Sequence, residues 1–386
     1  MKMILACMLF TAVIMVVSQG NASSAVEDLN AGIDAESRGD YVLARRLYLR
    51  AAEAGDTQAM NNVAVYFQTG MGGEKDPSAA FKWYERAAKL GFALAMNNLG
   101  YCYDKGNGIE VNKVKAVEWY RLSAEGGEMR GMFNLALHYE DGTGIDRDMK
   151  KAIYWYEQAA EKGSAAAALN LAIIYDEGKE VPQNLNEAFR WYRIAAEGGF
   201  PFAQNRMGTF FQYGEAVSTD YVQAVNWYRQ AAAQNHPLGC HNLAFMLEEG
   251  LGVEQNFAEA LKWYKKGADV GYEDSMLGIA NLLWNVRGAL HDPQAAIEWF
   301  KKAAELGNSK AMHNLAIMYR NGDGVESDLV QSYAWEAISL ACAEDEDEKA
   351  FIIRVREKIV PRMTPVMIKQ AEEIAEQWLS SHGLTH

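Results

Sequence analysis

The chain has 386 residues, 49% of them hydrophobic and 23% charged, with 37 basic against 51 acidic side chains and a formal net charge of −14. An acidic balance of this size argues against docking on nucleic acid or anionic lipid, both of which need basic patches. It favours solubility and a partner segment that is itself basic.

The first 22 residues carry a single Lys2, the apolar run Met3 to Val17, and then Ser18-Gln-Gly20-Asn-Ala22. A basic start, an apolar centre and small residues at the −3 and −1 positions predict a secretory signal peptide over 1–22. The 15 residues of the apolar run fall short of the ~20 that a spanning helix needs. Cys7 lies near the start of the apolar run instead of following it, so no lipid anchor is expected. The mature chain is expected to be soluble, in the periplasm or secreted, with a charge of 36 − 51 = −15 once Lys2 is removed.

Residues 24–55 predict a first helix hairpin with a short turn at Arg38-Gly39-Asp40-Tyr41 and with Ala44, Leu47, Tyr48, Ala51 and Ala52 on its second helix. From 56 to 342 one pattern recurs every 36 residues, marked by Trp83-Tyr84, Trp119-Tyr120, Trp155-Tyr156, Trp191-Tyr192, Trp227-Tyr228, Trp263-Tyr264 and Trp299-Phe300. A fixed period of this length means one supersecondary unit stacked many times. Ala116, Trp119, Tyr120, Ser123 and Ala124 fall on the apolar stripe of an amphipathic helix, helix B. Helix B stops at Gly55, Gly91, Gly127, Gly163, Gly199, Asn235, Gly271 or Gly307, which predicts a left-handed cap, since Gly and then Asn tolerate positive φ best.

Helix A follows, as in Ala95 to Tyr103, with Leu99 and Tyr103 on its buried face and a small residue at Gly100, Ala136, Ala172 and Gly208 for close packing. The link from A to B is Gly106-Asn-Gly108-Ile or its equivalents, a tight turn whose β-branched residue should plug the gap between helices. Gly214-Glu-Ala-Val loses the second glycine. The seventh repeat departs most: Leu282 to Gly288 lacks Gly-x-Gly, so a longer helix A or a local change of curvature is expected. Residues 343–386 predict a helical cap, with Thr364-Pro365 starting its last helix and the acidic run Glu344 to Glu348 at a helix N-terminus.

The pattern Ala-x-x-x-Leu-Gly/Ala-x-x-Tyr-x-x-Gly-x-Gly-Val/Ile, then Ala-x-x-Trp-Tyr-x-x-Ala-Ala-x-x-Gly, resembles the Sel-1-like repeat, a relative of the tetratricopeptide repeat. The resemblance implies an all-α, right-handed solenoid of about eight to nine helix-turn-helix repeats with a C-terminal helical cap. The hairpin at 24–55 is nearer the tetratricopeptide form. Proteins with this repeat act mostly as scaffolds with diverse partners, and exported bacterial members include regulators of envelope signalling and host-interaction factors.

The residues of catalysis do not assemble in the sequence: Ser-x-x-Lys, Gly-x-Ser-x-Gly, His-Glu-x-x-His and a Walker loop are all missing. The chain reads as a non-enzyme with no cofactor or metal, and His236 and His241 have no third ligand nearby. Cys102, Cys240 and Cys342 sit too many repeats apart for a disulfide and read as buried free thiols.

Helix A normally lines the concave face, and one of its positions reads Asn62, Asn98, Asn134, Asn170, Arg206, Asn242, Gly278 and Asn314. This file of amides either holds the backbone of an extended peptide, as the equivalent position does in tetratricopeptide relatives, or ties each helix to its neighbour. Tyr101, Phe133, Leu169, His241, Trp284 and His313 stand beside it as candidate selectivity positions. The expected partner is a protein or extended peptide, with no nucleic acid and no membrane insertion. The alternatives are a self-associating structural subunit and a small-ligand or enzymatic module with its pocket in the same groove.

Overall fold

A helix needs a start signal, a stop signal and a face to bury, and this chain supplies all three with a period of 36 residues. The computed structural model describes residues 24–285 and 290–384. The leader expected at 1–22 and the Arg287-Gly288 loop of the seventh repeat lie outside the described residues. Among the described residues there are twenty α-helices and no strand, and within each of two compact units neighbouring helices pack in pairs, as in an all-α solenoid.

By compactness the chain divides into two units at Asn184 and Leu185. The first holds α1 (24–37), α2 (Tyr41–Glu53), α3 (Thr57–Thr69), α4 (Pro77–Lys89), α5 (Ala93–Lys105), α6 (Lys113–Glu125), α7 (Met129–Asp141), α8 (Met149–Glu161) and α9 (Ala165–Glu177). The second opens with α10 (Leu185–Glu197), α11 (Pro201–Tyr213), α12 (Tyr221–Ala233), α13 (Pro237–Glu249), α14 (Phe257–Asp269) and α15 (Glu273–Asn285). It continues with α16 (Pro293–Glu305), α17 (Ser309–Asn321), α18 (Leu329–Cys342), α19 (Glu346–Ile359) and α20 (Pro365–Ser381). Odd-numbered helices are helix A and even-numbered ones helix B. The seventh helix A keeps the ordinary thirteen residues, so its expected lengthening is not seen over Glu273–Asn285.

Each helix B starts on a side-chain cap. Asp76, Asn112, Asp148, Asp220, Asn256, Asp292 and Asp328 accept a backbone N–H two or three residues on. The same residues close the hairpin, because their own backbone N–H donates to the helix A carbonyl nine residues earlier, as from Asp148 to Tyr139 at 2.9 Å. Helix B ends as expected: Gly55, Gly91, Gly127, Gly163, Gly199, Gly271 and Gly307 all have positive φ, and so does Asn235 at 58°.

The second loop glycine answers to two demands at once. Gly108 sits at φ 77°, and a Cβ there would stand 2.0 Å from the carbonyl oxygen of Pro77, at the start of the preceding helix B. At the matching place in the second unit Ala216 holds φ 59° despite its Cβ. The β-branched residue after the turn does less than expected. Val253 and Val325 pack against the core, whereas Ile109 is 38% exposed.

Of each aromatic pair it is the second ring that makes the core. Tyr48, Tyr84, Tyr120, Tyr156, Tyr192, Tyr228, Tyr264 and Phe300 are buried, while the Trp beside them is half-buried except at Trp191. Burying a side chain of this size stabilises by about 1.5–3 kcal/mol. The small helix A residue makes room for it: a Cβ on Gly100 or Gly208 would stand 2.8 Å or 2.4 Å from the Tyr120 or Tyr228 ring. Half-exposed Trp83, Trp263 and Trp299 carry Arg86, Lys266 and Lys302 over their rings at 4.1–5.2 Å. The thiols of Cys102 and Cys240 are buried and Cys342 is partly so, all three free; burial pushes Cys102 up to about 12.

The last pair changes its packing. Thr364 caps α20 one period after Asp328 caps α18. Yet α20 lies against α18, with Ala371 and Ala375 buried and Trp378 edge-on to Trp335 at 5.9 Å. Asp345 caps α19, and Glu346, Asp347 and Glu348 fill its first turn, where the helix dipole favours negative charge.

Candidate functional site

Four clefts lie on the exposed side of the helix A rows, where the amides also stand; a fifth, of about 430 Å³, lies on helix B α14 around Trp263 and Lys266. Each amide reaches back to the preceding repeat. Asn98 donates to Asn61 at 2.9 Å, Asn134 to Asn97 at 2.8 Å, Asn242 to Asn205 at 2.9 Å and Asn314 to Asn281 at 3.0 Å. Asn170 donates to the Tyr156 hydroxyl at 3.0 Å, and Asn62 lies against that of Tyr48. One N–H of every such amide is therefore committed to holding neighbouring hairpins in register. Arg206 turns the other way: its guanidinium meets Glu215 at 2.8 Å and lies 4.4 Å above the Phe210 ring.

A second file, which the sequence reading passed over, runs beside the amides at the C-terminal end of helix A. The buried tyrosine of helix B donates its hydroxyl to Gln68, Glu140, Gln212 and Glu248, in each case 16 residues earlier, at 2.5–2.8 Å. Tyr48 reaches Glu36 over 12 residues because the first turn is shorter. Burial pushes these phenols up, so each stays protonated as a donor at neutral pH. In the seventh repeat the pair becomes Trp284 edge-on to Phe300 at 6.0 Å, ring for carboxylate and ring for phenol. An acid or amide 16 residues before each of Tyr84, Tyr120, Tyr156, Tyr192, Tyr228 and Tyr264 is the signal in the sequence.

In the first unit one member of this row, Asp104, is neutralised from within. A cleft of about 250 Å³ holds Tyr101, Asp104, Lys113, Asn134, His138 and Asp141. Asp104 meets Lys113 at 2.7 Å, Lys105 at 2.8 Å and His138 Nε2 at 3.6 Å. Burial would raise its carboxyl, but the hydrogen bonds and charges of the two lysines prevail and hold it below the usual range. The next cleft, about 380 Å³, places Asn170 and Ile173 near Glu140, with Arg147 bridging to Glu180 at 2.8 Å.

The second unit is different. A cleft of about 380 Å³ is lined by His241, Phe245, Glu248, Glu249, Tyr264 and Asp274, with Leu277, Gly278, Asn281 and Lys310 along one side. His241 lies between the rings of Tyr264 at 5.4 Å and Tyr272 at 5.5 Å, and its Nδ1 is buried without a hydrogen-bond partner. Burial pulls the imidazole down and pushes the Glu248 carboxyl up, the latter against the hydrogen bond from Tyr264. A second cleft, about 640 Å³, shares Leu277, Asn281 and Lys310 and adds His313, Asn314, Asp345, Glu348 and Phe351. His313 Nδ1 meets the buried Glu336 at 2.8 Å, and its ring lies 5.3 Å from Phe351.

The structure thus brings Tyr101 and Asn134 together, and separately His241 with the surroundings of His313 and Asn314. Asn62, Asn98, Arg206, Asn242, Phe133, Leu169 and Trp284 line none of these four clefts. Phe133 packs on Tyr156 at 5.8 Å, and Leu169 is half-buried. His236 has a structural task, its Nδ1 accepting the Gly239 N–H at 3.2 Å as the cap of α13.

The family model for the Sel1 repeat matches residues 30–56, 57–92, 93–128, 130–164, 165–200, 201–236, 237–272, 275–308 and 309–335. Among solved structures, a protective antigen present in uropathogenic Escherichia coli strains, displaying an SLR fold, is similar at 27% identity over 94% of both chains, with a TM-score of 0.53. A Sel1 repeat protein from Oxalobacter formigenes is similar at 28% identity over 63% of this chain and 99% of its own, with a TM-score of 0.56. Among curated proteins none matches.

Proposed function

Because this chain belongs to the Sel1 repeat family, a helical scaffold fold that commonly mediates protein interaction, we propose that it binds a protein or extended peptide along the exposed side of its helix A rows. The observation that carries this reading is where the open clefts lie: four of the five are lined by helix A residues, with an amide of the file or its acceptor in each wall, and one lies on helix B. A chain held across several repeats makes many weak contacts at once and reaches useful affinity without a deep pocket. The reading is non-enzymatic.

The apolar stretch Met3 to Val17 supports export, and the similarity to a protective antigen supports a role at the envelope or toward a host. N-terminal sequencing of the exported chain tests the first of these; a start at Ser23 is expected, and an intact Met1 would overturn it.

Binding itself is tested by selecting peptides from a random display library on the immobilised chain and mapping them with variants. Substitutions on helix A (Tyr101→Ala, Leu277→Ala) should weaken the selected peptides at least about tenfold, or ~1.4 kcal/mol. The helix B change Trp263→Ala should leave them unchanged. Loss confined to Trp263→Ala would place the site on the opposite face and overturn the reading.

A further inference from the structure

The amide file is interrupted at Arg206 and at Gly278, and the second gap leaves a mark one repeat away. In four repeat pairs the amide of one helix A donates to an amide of the helix A before it. The acceptor register reads Asn61, Asn97 and Asn205, with His241 at the same place, and the donor due to reach His241 is residue 278. Residue 278 is a glycine. Nor can a side chain be restored there cheaply, since a Cβ would stand 2.6 Å from the Tyr264 ring. His241 Nδ1 is accordingly buried without a partner. The following bond also shifts, because Asn314 finds Asn281 over 33 residues instead of an amide at Leu277. The chain has removed a donor at this point and placed Gly278 and Leu277 in the wall of a cleft.

The missing donor lies among acids. Glu248 accepts from Tyr264, and Asp274 accepts from Asn308 at 2.9 Å and Tyr272 at 3.1 Å, all neutral donors. Among the described residues none of Glu248, Glu249 and Asp274 is in an ion pair. Lys310 is the cation among the residues lining this cleft. The half-buried Glu248 and Asp274 and the exposed Glu249, without a cation and beside a bare imidazole nitrogen, are complementary to a group that is all donor and positively charged. A guanidinium fits both demands, presenting five N–H groups and a flat face for aromatic walls such as Phe245 and Tyr264.

We propose that the cleft around His241 seats an arginine side chain of an extended partner peptide, whose flanking apolar residues lie over Leu277 and Phe351 in the adjoining cleft. The guanidinium restores at His241 the donor that Gly278 withholds, with the imidazole proton on Nε2, and forms charged hydrogen bonds to Glu249 and Asp274. The proposal deepens the partner-binding reading and rests on it: one anchor side chain, one class of partner.

The probe is a fluorescein-labelled, acetylated Leu-Ala-Arg-Ala-Leu peptide titrated with the full chain by anisotropy, against the same peptide with citrulline at its centre. Citrulline keeps the shape and removes the charge, so at least about tenfold weaker binding is expected. The double variant Glu249→Gln/Asp274→Asn should bring the arginine peptide down to the citrulline level. His241→Phe should weaken it severalfold, and Lys310→Gln should tighten it. A lysine-centred peptide falling between the two separates point charge from fork geometry. Equal binding of arginine and citrulline peptides, no binding of either, or indifference to the acidic double variant would each overturn the proposal. Library-selected peptides that lack cations yet respond to Leu277→Ala would spare the partner-binding reading while removing the arginine anchor.

Discussion

The helix A rows of the two units are made from the same repeat, and two of their acids in one register, Asp104 and Glu248, are treated in opposite ways. In the first unit Asp104 is held by Lys105 and Lys113, and Arg147 bridges to Glu180 on the same side. In the second unit Glu248, Glu249 and Asp274 receive hydrogen bonds or solvent but no cation. A carboxylate removed from water without a counter-charge raises the energy of the folded state, and a buried ion pair recovers that cost only with good geometry. The comparison teaches that repeat symmetry sets the backbone while the few positions off consensus decide which stretch is self-satisfied and which is left open for a guest.

The largest effect should come from the loop glycine that both units share. Gly108→Ala adds a Cβ 2.0 Å from the Pro77 carbonyl oxygen at a positive φ, and should cost on the order of 3 kcal/mol, read in a urea melt. Next comes a direct break of the comparison. Lys113→Met strips one cation from buried Asp104 while Lys105 stays, and should cost about 2 kcal/mol, less than the loss of a fully buried partner. Lys310→Met, its counterpart in the second unit, should change stability by less than about 0.5 kcal/mol. Equal losses in the two variants would erase the distinction between the units.

The pH dependence of stability should separate them by sign. Asp104, faced by Lys105, Lys113, His138 and Tyr120, titrates below the usual carboxylate range when folded. Its contribution is present above the unfolded pKa and disappears as pH falls through the folded one. Glu248, faced by Tyr264, Glu249, His241, Asp274 and Lys310, titrates above the usual range. Between its unfolded and folded pKa the folded state binds more protons, so stability declines as pH rises. Urea melts from roughly pH 3 to 7 should therefore show Asp104→Asn flattening the acid limb and Glu248→Gln flattening the opposite slope. Two variants that move the profile in the same direction would contradict the assignment.

The fold was legible because backbone demands repeat. Gly55 to Gly307 announce the left-handed caps, and Pro77 and Pro293 the helix B starts, all at one period. The site was legible only in part. Asn98 and Asn134 were visible as a file, but the length of an amide side chain does not say whether it meets a guest or a neighbour. The bond from Asn98 to Asn61 needs the stacking distance as well as the register. The acids at Glu140 and Glu248 were missed because attention to Trp119 and its equivalents hid the deeper-buried Tyr, whose hydroxyl those acids accept. Nor could spacing alone show that Gly278 strips His241 of a partner, since that bond crosses between repeats.

The smallest effect tests whether the second unit tolerates backbone strain where the first does not. Ala216 occupies the place of Gly108 at φ 59°, where an L-residue costs roughly 1–2 kcal/mol relative to a right-handed conformation. Glycine adopts this φ freely but gives the unfolded chain more freedom, an opposing cost of about 0.5–1 kcal/mol. Ala216→Gly should therefore stabilise by about 0.5 kcal/mol, visible as a small upward shift of the urea midpoint with unchanged slope. A loss of stability would mean that the Ala216 methyl makes apolar contacts worth more than the strain it imposes, and that this turn is held by packing where the Gly108 turn is held by conformational freedom.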